Sequence, residues 1–226
     1  MRVRTYGFPG IFYEANPDPR LATSERSDPR RIWFAPCMCE MNDSAALPED
    51  NRATPASPLS ILASMKLQPL GGDRLDEIVA LVLRADETWR PWAPRGWDPP
   101  PAARERASWK DRLEGRQHWV QGALDEDGTL LGVAAWRPAI DGSRGRVGHL
   151  GMLFVSPEAW GRGIGGVLLA AAEASMRGFG CARGRLNVAE RNPARSFYER
   201  HGWASAGPPV YSPGLDIDLV PYEKEL

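Results

Sequence analysis

The segment "SPEAWGRGIGGVLL", residues 156–169, restricts the fold more than any other part of the chain. Gly161, Gly163, Gly165 and Gly166 follow the apolar run "LGMLFV" and precede the alanine-rich stretch "LLAAAEASM". A glycine inside a helix lowers its stability by about 1 kcal/mol relative to alanine, so this density implies a need for bare backbone. A strand that ends in such a turn and then opens a helix exposes unpaired N–H groups at the positive end of the helix dipole. The combination suits phosphate or pyrophosphate, because glycine takes positive φ and lets an anion approach without meeting a Cβ. Arg162 would add charge at the rim. A tight strand-to-helix turn without a ligand is the plainer reading, but it needs fewer glycines.

Two phosphate-binding patterns compete for the segment. Gly161, Gly163 and Gly166 satisfy the dinucleotide fingerprint G-x-G-x-x-G, and Glu190 falls near the position of a ribose-binding acid. Against this, "SPEAW" separates Val155 from Gly161, whereas the dinucleotide fold turns almost at once, and only one further βα unit follows. A nucleoside-triphosphate loop is excluded by the absence of Gly-Lys-Ser/Thr.

The pattern begins at Met65. Residues 14–60 carry seven prolines among Asp, Ser, Arg and Asn and sustain neither strand nor helix periodicity. Residues 1–64 are therefore expected to be a largely disordered extension, with "RRIWFAPCM" as a candidate local strand, and 65–226 to form the folded domain. Met65 is a candidate natural start. The 226 residues, 42% hydrophobic with net charge -1, call for neither a nucleic-acid partner nor a membrane. No apolar run approaches the roughly 20 residues of a membrane span, and the N-terminus is broken too early by Gly and Pro for a signal peptide. A cytoplasmic protein is expected. Cys37, Cys39 and Cys181 form neither a disulfide framework nor a zinc pattern, so no metal is expected.

From Met65 the elements read β α α β β β α β α β β. "MKLQPL" is a strand, and Leu75, Ile78, Val79, Val82 and Leu83 recur at helical spacing behind Asp73 as N-cap. "WRPWAPRGWDPPP" reads as a loop and "AARERASWKDRLEG" as an exposed helix. "QHWVQGALD" and "TLLGVAAWRPA" form a hairpin, and "IDGSRGR" turns into the strand "VGHLGMLFV". A helix to about Arg177, the strand "GRLNVAE", the helix "PARSFYERHG" and two closing strands complete the pattern. Hairpins followed by a βαβ crossover predict an α/β fold with a mixed, mostly antiparallel sheet and helices on both faces.

"LGMLFVSPEAWGRGIGGVLLAAAE" and "LNVAERNPARSFYERHGW" together resemble the two signature regions of the GCN5-related N-acetyltransferase (GNAT) superfamily, which binds acetyl-coenzyme A. Gly163 and Gly165 match the first signature, and Trp160 replaces its Gln or Arg. Asn192, Ala194, Phe197 and Tyr198 match the second. The two regions span about residues 147–203, and the element order extends the likeness to 65–226.

The resemblance implies that amides from Gly161, Arg162, Gly163, Ile164, Gly165 and Gly166 hold the coenzyme's pyrophosphate. Leu153, Phe154 and Val155 would pair with the pantetheine arm where the next strand splays away, and an amide near Leu153 would polarise the thioester carbonyl. Asn192 is adequately explained as an N-cap before Pro193; in the family an Asn here also contacts the coenzyme. Tyr198 lies on an apolar helical stripe, and the resemblance makes it the acid that protonates the leaving thiolate. The acceptor amine must lose a proton, and the position of the family's basic residue corresponds to His149, with His118 a weaker candidate. Strict alternation places His149 on the face of Leu153. Asp86, Glu87, Trp89, Trp92 and Trp97 lie where the family recognises its acceptor, with Glu87, Trp92 and Trp97 suited to a cationic amine or simply covering the sheet edge. The implied activity is acetyl transfer from acetyl-coenzyme A to a small-molecule or peptide amine by a monomer or homodimer, in a ternary complex. A non-catalytic acyl-coenzyme A-binding module is the alternative.

Overall fold

The computed structural model describes residues 65–115, 118–140, 146–213 and 215–226. The expectations for residues 1–64, including the "RRIWFAPCM" strand, Cys37 and Cys39, and the centre of the turn "IDGSRGR" lie outside the described residues.

Strand β1 (Lys66–Pro69) leads through a 3-10 turn, Gly72–Arg74, into α1 (Leu75–Glu87). The helical stripe is real: Ile78, Val79, Leu81, Val82 and Ala85 are buried. Asp73 is not the N-cap. It sits inside the 3-10 turn, where Arg74 N–H donates to Gly71 C=O at 3.1 Å, and the helix starts behind Arg74 with no side-chain cap. Helix α2 (Ala102–Glu114) is less exposed than its composition suggests, because Trp109 packs into the core and carries Glu105 and Arg112 inward with it.

Strands β2 (Trp119–Leu124) and β3 (Leu130–Ile140) form the expected hairpin, followed by β4 (Arg146–Val155), α3 (Ile164–Gly178), β5 (Arg183–Ala189) and α4 (Ala194–Arg200). Three strands close the chain instead of two: β6 (Ala204–Ser205), β7 (Val210–Ser212) and β8 (Ile217–Glu225). The sequence Gly207-Pro208-Pro209 interrupts the first of the expected strands, since proline has no N–H to donate to a ladder.

The sheet order is β1-β2-β3-β4-β5-β8-β6, with β7 also paired to β8, and among the described residues only β4 and β5 run parallel. One face packs on α3 and α4 through Leu153, Val155, Leu168, Met176, Leu186 and Phe197. The other packs on α1 and α2 through Val133, Met152, Phe154, Ile78, Val82 and Trp109.

A bulge in β4 decides which side chains meet which face. Ala135 pairs with Met152 but Trp136 pairs with Leu150, so Gly151 is an extra residue without a partner on β3. Beyond it the alternation is reset. Leu150 shares the α3 face with Leu153 and Val155, while Met152 and Phe154 face α1 and α2. His149 therefore lies opposite to Leu153, correcting the parity that strict alternation predicts, and Leu150 does not share a face with Met152 and Phe154.

Candidate active site

The parallel pairing of β4 with β5 ends almost as soon as it begins, at Val147 with Arg183, Gly148 with Gly184 and His149 with Arg185. Beyond His149, β4 stays paired to β3 and β5 stays paired to β8, so a gap opens between them inside the sheet. Ser156 N–H donates to Leu131 C=O at 2.8 Å. Because strand groups alternate sides, the N–H groups of Val155 and Leu153 turn away from β3 and into the gap. The side chains of Leu153, Phe154 and Val155 are fully buried, so they can serve a ligand only through backbone.

Beyond the gap the chain makes a 3-10 turn, Pro157–Ala159, and reaches the glycines. Gly161 and Gly163 have φ of 73° and 77°, the left-handed region that disfavours a side chain. Gly163 is the N-cap of α3, and the first helical bond runs from Val167 N–H to Gly163 C=O at 3.2 Å. The N–H groups of Ile164, Gly165 and Gly166 precede that bond and lie at the positive end of the helix. Arg162 is half-buried among them. The donor set and its bare backbone fit a pyrophosphate. Trp160, where the family signature has Gln or Arg, donates its indole N–H to Val155 C=O at 3.0 Å and ties the strand end to the glycine turn.

Helix α4 completes this side. Asn192 is buried, and its Oδ1 accepts the N–H of Ala194 at 2.8 Å, the bond of an N-cap. Tyr198 is fully buried within the same apolar cluster as Val155 and Ile164, its ring edge-on to Phe197 and Trp203. His201, one residue beyond α4, stands against the helix start: a Cβ on Gly166 would lie 3.1 Å from its Nε2. Neither His201 nor the Trp160 bond is legible in the sequence, since both depend on how α4 and the turn settle on the sheet.

The opposite face carries a different chemistry. Arg137, His149 and Arg185 are cross-strand neighbours on β3, β4 and β5. A cavity of about 60 Å³ is lined by His149, Arg137, Ala135, Trp136 and the bulge residue Gly151, with Asp111, Arg112 and His118 closing it. Burial, helped by Arg137, Arg185 and Arg112, pushes the His149 imidazole down to about 3, so the ring is neutral at ordinary pH. The His118 ring is also shifted down, chiefly by burial and then by Arg112 and Arg137. Arg112 is pushed down by burial only to about 10 and keeps its charge. The two histidines were sequence candidates. Arg137 and Arg185 were not, because only strand register brings them beside His149.

The residues expected to read the acceptor are not brought to this cavity. Glu87 is exposed and bound to Arg90 at 2.6 Å, which draws its carboxyl below the usual range. Trp92 and Trp97 pack on the buried Trp89, with centroids 4.7 and 5.5 Å away, and cover the α1 side of the core. Among the described residues no group of three His, Cys, Asp or Glu side chains could hold a metal ion, and no helix is long and apolar enough to cross a membrane.

Solved structures share this fold. The PaiA N-acetyltransferase of Thermoplasma acidophilum in complex with coenzyme A is 20% identical, with 72% of this chain and 99% of that chain covered and a TM-score of 0.56. A GCN5-related N-acetyltransferase of Kribbella flavida is 21% identical over 73% of this chain and 99% of its own, with a TM-score of 0.58. The ribosomal-protein-S18-alanine N-acetyltransferase of Escherichia coli is 15% identical over 71% and 93%, with a TM-score of 0.53. At these identities the likeness establishes the fold. No curated protein matches the sequence. The model of the acetyltransferase (GNAT) family matches residues 82–203, more than half of the chain. A split sheet that runs into a glycine cradle is thus accompanied by the family's sequence pattern, and the chain belongs to the GNAT family of acetyltransferases.

Proposed function

We propose that the protein transfers the acetyl group of acetyl-coenzyme A directly to a primary amine in a ternary complex, with residues 65–226 as the catalytic domain. The observation that carries this reading is the gap between β4 and β5, which begins at His149 and leads to the unpaired N–H groups of Ile164, Gly165 and Gly166. Acetyl-coenzyme A supplies an activated thioester. The chain's own groups do the rest.

The amides of Arg162 to Gly166 hold the pyrophosphate, and the Leu153 and Val155 N–H groups align the pantetheine arm. The Leu153 N–H stabilises charge on the acetyl oxygen, an effect of a few kcal/mol in the transition state. A bond forms between the amine nitrogen and the acetyl carbon, the carbon–sulfur bond breaks, the amine gives up a proton and the sulfur takes one. Tyr198 supplies the proton to sulfur from the α4 side, and Asn192 steadies the start of that helix. His149 receives the amine proton, directly or through water, from the opposite face. Its depressed basicity makes it a weak base in the empty protein, and binding of negative charge nearby would strengthen it.

The test is thiol release from acetyl-coenzyme A by the full chain with a panel of primary amines. Amine-dependent release with matching N-acetylated product is expected. Protection from thermal unfolding by coenzyme A without release on any amine would make the protein an acyl-coenzyme A-binding module instead.

A further inference from the structure

Resting on the acetyl-transfer reading, we propose that the acceptor is a primary amine that carries a carboxylate close to its nitrogen, as in an amino acid. Its carboxylate is held by Arg137 and Arg112 in the cavity beside the β4 bulge.

The argument starts from position. Gly151 lines the cavity, is the extra residue of the β3–β4 register, and lies two residues beyond His149, the last residue of β4 paired to β5. Leu153, whose N–H faces the gap, is two residues further on, about 7 Å along a strand. An α-amino acid places its nitrogen roughly 3 Å from the nearer carboxylate oxygen. A carboxylate on Arg137 and Arg112 thus leaves the amine between the cavity and the reacting end of the gap.

Charge then selects the acceptor. Two guanidinium groups and two imidazoles line the cavity, and Asp111, the one carboxylate among the lining residues, is exposed. Glu105 also acts on Arg112, and burial raises its carboxyl above the usual range against the opposing pull of Arg112 and Arg104. Arg185 is occupied by Glu223 at 2.7 Å. Arg112 already donates to Ser108 C=O at 2.7 Å and to the Ser108 hydroxyl. A guanidinium has five N–H donors, so Arg112 can take a carboxylate without giving up its contacts to Ser108. The His118 ring lines the cavity, while its Nδ1 is buried with no hydrogen-bond partner among the described residues. A polyamine or an amino sugar would bring additional ammonium groups towards these arginines and be repelled.

The experiment compares three pools with the full chain: the twenty amino acids, their carboxamides, and the corresponding decarboxylated amines. Thiol release from acetyl-coenzyme A is expected to show kcat/KM at least about tenfold higher for the carboxylate pool, a difference of 1.4 kcal/mol. Arg137→Gln is expected to raise KM for carboxylate acceptors by at least about tenfold and to erase the preference, and Arg137→Lys to restore part of it. Equal or faster turnover of the amides or decarboxylated amines overturns the proposal. A second readout separates it from the acetyl-transfer reading. If no pool releases thiol, that reading fails, while stronger thermal protection by N-acetyl amino acids than by their amides, in the presence of coenzyme A, still supports the carboxylate site. Equal protection, or none, overturns it.

Discussion

His149 lies directly opposite Arg137 in the β3–β4 register, on the sheet face that packs against α1 and α2 and away from Tyr198. The imidazole ordinarily titrates near 6.5 but is held down to about 3, first by burial and then by Arg137, Arg185 and Arg112. As pH falls below 6.5 the unfolded chain takes up a proton that the folded chain refuses, so stability is lost towards acid. His149→Gln removes this loss. The gap in unfolding free energy between wild type and variant should shrink from pH 7 to pH 5, by at most about 1.4 kcal/mol per pH unit. Urea denaturation at several pH values measures it, and a gap independent of pH would contradict the assigned burial.

Asp86, buried at the end of α1, produces the opposite slope. Burial, with Glu105 and Glu87 adding negative field, raises its carboxyl from 3.8 to about 8. The folded chain keeps a proton that the unfolded chain releases above about pH 4, so stability falls as pH rises towards 8. Asp86→Asn should exceed wild type by a margin that widens between pH 6.5 and 8, because the slope of His149, present in both proteins, cancels in the difference. The same unfolding series decides it, and an equal margin at both pH values would count against a protonated Asp86.

At Gly163 the backbone itself is under test. Its φ of 77° strains an alanine by about 1–2 kcal/mol, which for a domain of this size is a fall of several degrees in Tm. Gly163→Ala should also weaken coenzyme A binding measured by calorimetry, because the cradle amides shift. Loss of Tm with unaltered coenzyme affinity would leave the glycine a turn residue and nothing more.

Tyr198→Phe keeps the ring in its apolar cluster and removes only the hydroxyl. The expected outcome is a fall in kcat of about a hundredfold or more, with KM for acetyl-coenzyme A little changed. Steady-state kinetics read both, and an undiminished kcat would take Tyr198 out of the proton path.

Much of the α3 side could be read from residue order. The glycines of 161–166 require a turn into a helix whatever surrounds them, and "NPARSFY" specifies a capped helix with Phe197 and Tyr198 buried. The surroundings of Glu87, Trp92 and Trp97 could not be read. Glu87, Trp92 and Trp97 have the composition of a cation site; in the fold Glu87 pairs with Arg90, Trp97 stacks on Trp89 and Trp92 packs tilted against it.

The sequence by itself determined the order of elements as far as α4, the glycine-rich turn and the family. These depend on local conformation and on spacing along the chain, which are properties of neighbouring residues. Only the tertiary structure decided where His149 points and what surrounds it. One extra residue, Gly151, reverses the faces of every side chain beyond it, and strand register gathers Arg137, His149 and Arg185 from three separate strands. Such a reversal has no local signal, because a strand's period of two carries no record of where its partner omits a residue.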